Sequence, residues 1–334
     1  SSESLITAYT KDTGTVAWTE SISARLLELL TTDGDVIAVG DKVVRLDAAS
    51  GNRMWTHENV SVAEAMSVQT SESYNRLLVS SYATGLKGID LSTGKTAWQN
   101  TADPYRLIVA TSGNVIYQTT DSGTDVYVAR DIVSGERVWA HTPKNTDYPE
   151  TIGLIDDTLL YYQNPHDATD TLAAIDVSNG TTQWRRSSVF DSSDWGYLSE
   201  STTVDGRAVL GFEEDDDTVQ ILMVSEEGEF EQRWNMEADA LGLVATEETV
   251  YGTAYSWSNT TTEAFAIDST NKSYRWSTTV DISDGEDPRL LGETVAISSG
   301  NPTVFIDRTT GDTVEKASLE LYATAYDDGK FYYH

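Results

Sequence analysis

The chain has 334 residues, 54 Asp and Glu against 22 Lys and Arg, a net charge of −32 and no cysteine. That charge excludes a nucleic-acid binder that works by neutralising phosphates, which needs a basic face, and it argues against docking on anionic lipid. Without cysteine there is no disulfide, thiolate zinc site, iron–sulfur cluster or cysteine nucleophile. No apolar run approaches the ~18 residues of a membrane-spanning helix, while 39% hydrophobic residues suffice for a core.

Read in chain order, the sequence predicts short strands throughout. The first two are Ser4 to Thr10 and Thr15 to Glu20. A series of β-branched and aromatic runs then follows, each entered from a polar turn: DGDVIAVG from Asp33, NRLLVSS from Asn75, GNVIYQT from Gly113 and DDTLLYYQ from Asp156. It continues with DGRAVLGF from Asp205, EETVYGTA from Glu247, GETVAIS from Gly292 and DGKFYYH from Asp328. A further apolar run precedes these, such as Arg106 to Thr111 or Leu241 to Ala245. No useful length shows the 3.6-residue period of a helix.

Between these runs lies a second series with a fixed spacing. RLDAASGNRMW ends at Trp55, GIDLSTGKTAW at Trp98, ARDIVSGERVW at Trp139 and AIDVSNGTTQW at Trp184. Each has Asp, then Gly four residues on, then Trp four further. Looser copies end at Trp18, with Thr10 at the Asp position, and at Trp234, with Gly228 displaced by two residues. Another ends at Trp276, with Lys272 in place of Gly. The last keeps Asp307 and Gly311 but has Glu315 at the Trp position. The Trp positions are 37, 43, 41, 45, 50 and 42 residues apart. Four-stranded units of about 42 residues match propeller blades.

The phase of the repeat predicts closure. The chain begins with the third and fourth strands of a unit and ends with the first two, Leu319 to Ala325 and Gly329 to His334. The expectation is one all-β domain over 1–334, an eight-bladed β-propeller of four-stranded antiparallel blades. The N- and C-terminal strands share one blade, which closes the ring without free edges. Within the repeat, Gly supplies a positive φ at the hairpin joining the third and fourth strands. Asp closes an Asx turn, and Trp packs against the neighbouring blade. These are structural duties, not a catalytic set.

The pattern A-x-D-x-x-T-G-x-x-x-W resembles the tryptophan-docking repeat of the pyrroloquinoline-quinone (PQQ) type propellers, over essentially the whole chain. That quinoprotein-like superfamily, comparable in architecture to WD40 propellers, includes the quinoprotein alcohol dehydrogenases and the outer-membrane assembly lipoprotein BamB. The resemblance implies a fold and leaves the chemistry open. The dehydrogenases of the family hold PQQ with Ca²⁺ beside a vicinal cysteine pair, and this chain has no cysteine. No phosphate loop or HExxH spacing occurs. Of the four histidines, His57 and His141 follow the repeat Trp by two residues and are expected at the surface of an edge strand. The expectation is therefore a non-catalytic propeller, without cofactor, that binds a protein or polymer partner. The alternative is a reduced PQQ-dependent alcohol or sugar oxidoreductase using PQQ with Ca²⁺.

Candidate binding residues are aromatics that the repeat does not require, in the longer connections: Tyr148, His166, Trp195, Tyr197 and Trp257. Near the innermost strands, Arg106, Glu150, Arg289 and Tyr322 are candidates for an axial funnel. Asp281, Asp284 and Asp287 cluster around Gly285 as weak cation candidates, but the spacing is not that of an EF-hand.

Only eight of the 22 basic residues are lysines, and acids run through every segment, densest at Glu213 to Asp217. In molar salt the reach of such charges shrinks to roughly 3 Å, so the surface reads as adaptation to high salt. The chain starts at Ser1 without a charged and apolar leader, as a mature or trimmed form does. An extracytoplasmic location is expected, with a lipid anchor possible outside the given residues. Sequons at Asn59, Asn179, Asn259 and Asn271 are glycosylation acceptors if the protein is exported.

Overall fold

A computed structural model describes residues 3–10, 15–32, 34–58, 60, 65–81, 85–101, 106–109, 112–144, 149–163, 170–187, 189, 196–214, 218–258, 260–282, 288–298, 303–317, 324–327 and 330–333. Among these, every long element is a strand, and the strands form eight four-stranded antiparallel sheets. Seven sheets are each built from four consecutive strands. The eighth is composite: β1 (Ser4–Thr10) and β2 (Val16–Ile22) join β31 (Thr324–Asp327) and β32 (Lys330–Tyr333) in the order β2-β1-β32-β31. Tyr9 lies opposite Phe331 in this junction. The penultimate strand is described over Thr324–Asp327; of the Leu319 to Ala325 expected, residues 319–323 lie outside the described residues.

The chain divides into two compact units. The first comprises 1–143, 178–180 and 321–334; the second comprises 144–177 and 181–320. In the first lie the composite sheet, β3 (Leu26–Thr32) to β6 (Arg53–His57), β7 (Ala65–Ser71) to β10 (Thr96–Asn100), and β11 (Arg106–Val109) to β14 (Arg137–His141). In the second lie β15 (Glu150–Ile155) to β18 (Thr182–Ser187), β19 (Gly196–Val204) to β22 (Phe230–Glu237), β23 (Ala240–Ala245) to β26 (Ser273–Val280), and β27 (Arg289–Leu291) to β30 (Thr313–Ala317). Within each unit the first strands of neighbouring sheets pack side by side, β3 on β31, β7 on β11, β15 on β19 and β19 on β23. This is the blade arrangement of an all-β propeller.

Burial explains the sequence patterns. The second strand of a sheet is buried on both faces, so it is mainly apolar rather than alternating, with Thr, Ser, Gln and Asp at some positions. β4 (Asp35–Gly40), β16 (Thr158–Gln163) and β24 (Thr249–Ser256) are buried at every position. The fourth strand has one covered face and alternates, as in β14 and β6.

The Asp-Gly-Trp repeat welds one blade to the next. Asp131 Oδ1 accepts the Ser134 amide at 2.7 Å, and the Gly135 amide donates to the Asp131 carbonyl at 2.8 Å. The repeat tryptophans reach across to the following turn. Trp18 Nε1 donates to the Ala48 carbonyl at 2.9 Å, Trp55 to Leu91 at 2.7 Å, Trp98 to Ile132 at 3.0 Å, Trp184 to Glu226 at 2.6 Å and Trp276 to Arg308 at 2.9 Å.

Two residues after the Trp a second link recurs. His57 Nδ1 lies 2.7 Å from the Gly94 carbonyl, and His141 Nδ1 lies 2.9 Å from that of Gly180. Arg186 Nε donates to Gly228 at 3.1 Å. The two histidines are therefore half-buried ties between blades, not the surface residues that their place on an edge strand suggested. The tie requires Nδ1 to carry the proton, because only an N–H can face a carbonyl.

Candidate binding face

In each sheet the second-to-third hairpins and the links between sheets share one end. Of the aromatics expected there, Trp257 is displayed among the described residues. It sits in the turn between β24 and β25 (Thr261–Asp268) and is 60% exposed, whereas Trp18, Trp98 and Trp139 are buried. Its ring meets that of Tyr255 edge-on, with centroids 4.8 Å apart and planes at 86°. Tyr255 is itself buried. The Trp257 amide donates to Asp239 Oδ2 at 2.6 Å, which ties the turn to the link between β22 and β23. The Ser256 and Ser258 hydroxyls hydrogen-bond to one another across the same turn at 3.0 Å. An indole held from below and from the side keeps its face toward solvent at little entropic cost, which is the property of a binding anchor.

The other expected residues that are described lie on separate strands and links. Tyr197 is not in a connection but in β19, opposite Glu213. Arg106 lies in β11 opposite Gln118, and Arg289 opens β27 opposite Ala296, half-buried. Glu150 opens β15, exposed, opposite Tyr162. Burial drives the Tyr162 phenol above its ordinary range, and the Asp170 and Glu150 charges add to the effect. Tyr162 therefore stays a neutral phenol, stacked edge-on against Phe212 at 5.3 Å. Asp281 is fully exposed and pairs with Lys316 at 3.3 Å. Among the described residues no three His, Asp or Glu side chains converge as metal ligands. Tyr148, His166, Trp195, Tyr322, Asp284 and Asp287 lie outside the described residues. Of the sequons, Asn179 and Asn271 are exposed in the third-to-fourth strand turns.

The opposite end of the second unit holds two adjoining depressions that sequence reasoning missed. A groove of about 490 Å³ crosses three first-to-second strand turns and is lined by Asp156, Asp205, Gly206, Thr246 and Glu247 among others. It continues at Thr246 and Glu247 into a cleft of about 620 Å³. Neither left a motif in the sequence, because each is assembled from segments far apart in the chain, around 155, 205 and 246 for the first and around 248, 275 and 308 for the second.

Repeat, strand order and interblade tryptophans together define a propeller of the PQQ-repeat class. The profile of the family described as outer membrane protein assembly factor BamB matches residues 1–186, more than half of the chain, and the protein belongs to this family. No curated protein sequence matches. Among solved structures, BamB from Moraxella catarrhalis superposes with a TM-score of 0.63 at 14% identity, covering 93% of this chain and 98% of that one. The quinohemoprotein alcohol dehydrogenase from Comamonas testosteroni gives 0.60 at 14% identity, covering 98% of this chain and 72% of that one. The computationally designed Ika8 protein gives 0.67 at 14% identity, with coverages of 94% and 97%. At such identities the likeness is one of fold.

Proposed function

We propose that the protein is a non-catalytic binding or scaffold propeller, eight-bladed and closed where its terminal strands share a sheet, that works outside the cytoplasm of a high-salt organism. The observation that carries this reading is the braced, solvent-facing Trp257. It lies outside the blade repeat and is held by Tyr255 and Asp239 on the end that carries the longer connections. Such a platform suits a protein segment or a glycan. Membership of the BamB family supports a protein-assembly role and an extracytoplasmic location, and the acidic, lysine-poor surface supports the salt habitat.

The competing reading is a reduced quinoprotein oxidoreductase, favoured by the likeness in fold to alcohol dehydrogenases. Such an enzyme needs a cofactor fixed in geometry, a cation to polarise it and a base for the substrate proton. Calorimetry with PQQ at ~100 μM, Ca²⁺ and molar salt separates the two: a ligand binding at or below that concentration would have a binding free energy of at least about 5.5 kcal/mol. The expected result is no heat of binding. Saturable PQQ binding with dye-linked alcohol or sugar oxidation would overturn the proposal.

A further inference from the structure

The residue that follows the repeat Asp has a constant duty, since its carbonyl receives the indole N–H of the preceding blade. In most sheets its side chain points inward. Ala48, Leu91, Ile132 and Val177 are buried there, and so is Ser269. In the sheet β27–β30 the same position is Arg308, and its carbonyl still accepts Trp276 Nε1 at 2.9 Å. The position is not uniformly apolar, since Glu226 occupies it in the sheet β19–β22 and is half-buried, but Arg308 is the departure with a polar atom taken out of water. Its Nε is buried and has no hydrogen-bond partner, an arrangement that costs roughly 1–3 kcal/mol. Among the described residues its ion pair is long, 3.7 Å to Glu293 Oε2, and Glu293 is 79% exposed. The guanidinium is thus held only by this long pair and by the charge of the adjacent Asp307.

Arg308 lines the cleft of about 620 Å³ with Thr246, Thr249, Thr309, Arg275 and the pair Glu247 and Glu248. The volume is in the range of ligand sites. Arg275 is neutralised by Asp268 Oδ2, which accepts from Nε at 3.0 Å and Nη2 at 2.8 Å, with Glu248 at 3.9 Å. Net anion-binding capacity therefore rests on one guanidinium, enough for a single carboxylate and too little for phosphate or sulfate beside two glutamates. Three threonine hydroxyls and the Glu247 and Glu248 carboxylates supply donors and acceptors for several hydroxyl groups.

We propose that this cleft binds a uronic acid unit, the sugar carboxylate paired with Arg308 and the sugar hydroxyls with the threonines and glutamates. The site is independent of the Trp257 face, at the far end of β24, which spans eight residues or about 25 Å.

The test is calorimetry and saturation-transfer NMR in ~1 M KCl, where long-range attraction is screened, with digalacturonate, maltose and acetate as probes. The expected result is saturable digalacturonate binding that is absent for maltose and at least about tenfold weaker, roughly 1.4 kcal/mol, in Arg308→Leu. That variant carries the residue found at Leu91, so its thermal midpoint is expected to hold or rise. Arg308→Gln, which keeps a polar stem, must show the same loss where Leu perturbs folding. No binding of digalacturonate, equal binding by the variants, or acetate binding as tightly as the uronide would each overturn the assignment.

Discussion

The Trp98 ring lies directly over Gly135 of the next blade. A Cβ built on Gly135 would sit 2.7 Å from two of the ring carbons, and φ there is +74°. Glycine is required twice, by conformation and by the indole above it. Trp98→Ala is expected to cost about 3–5 kcal/mol, as large aromatic truncations in cores do. Trp257→Ala, which removes an exposed ring, is expected to cost less than about 1 kcal/mol. Equal losses in denaturant titrations of the two variants would refute the division between repeat and binding tryptophans.

Acid is expected to loosen the turns. The Ser134 amide and hydroxyl hold the Asp131 carboxyl below its usual range. The Asn271 amide does the same for Asp268 and the Thr310 amide for Asp307. A folded pKa below the unfolded value near 3.9 means that the stabilisation is complete above about pH 4 and is lost as the pH falls through the folded value. Asp131→Ala should therefore cost about 1 kcal/mol at neutral pH, and the gap to the parent should narrow below about pH 4. A gap unchanged at low pH would show that the carboxylate charge contributes nothing.

Salt is expected to stabilise the fold steeply. With a net charge of −32, the folded chain holds like charges close together, and ~1 M salt cuts their reach to roughly 3 Å. Thermal midpoints should climb between dilute and molar KCl. A flat profile would mean that the acidity serves a partner instead of the solvent.

Removing residues 329–334 takes away β32, which lies between β1 and β31. The backbone edge of β1 is then exposed, an invitation to aggregate. Light scattering and the thermal midpoint of the truncated chain would report this. A soluble chain as stable as the parent would argue against closure.

The architecture was legible because it repeats, and single departures from the repeat were not. Gly228 reads as displaced by two residues, yet a Cβ on it would meet the Trp184 ring 2.8 Å away, like the others. The extra pair of residues slides along the strand. Trp234 lies opposite Ile221, four residues before Ser225, whereas Trp139 lies opposite Ala129, two before Asp131. A two-residue slip preserves the facing of every side chain, so the strand absorbs it. Lys272 takes φ +54° where glycine is usual, and its amine pairs with Glu231 at 3.3 Å. The ties from His57 and His141 escaped sequence reasoning because their acceptors are backbone carbonyls, which carry no residue signature. Among the described residues the candidate face was legible at Trp257, where a tryptophan fell outside the repeat.

The pairing of β1 with β32 makes an early strand of the propeller wait for a much later one. Residues Thr7 to Thr10 meet their partners only when Lys330 to Tyr333 have been made, a contact spanning nearly the whole chain. During synthesis β1 is therefore a held-open edge, and the other sheets, each local in sequence, have time to form before it is covered. Contacts of such long range are slow to form, so the seam sets the pace of maturation. It also brings the two ends of the chain into one sheet, so that a short peptide joining them, with new ends cut in a link between sheets, should yield a permuted chain that completes every sheet from consecutive residues.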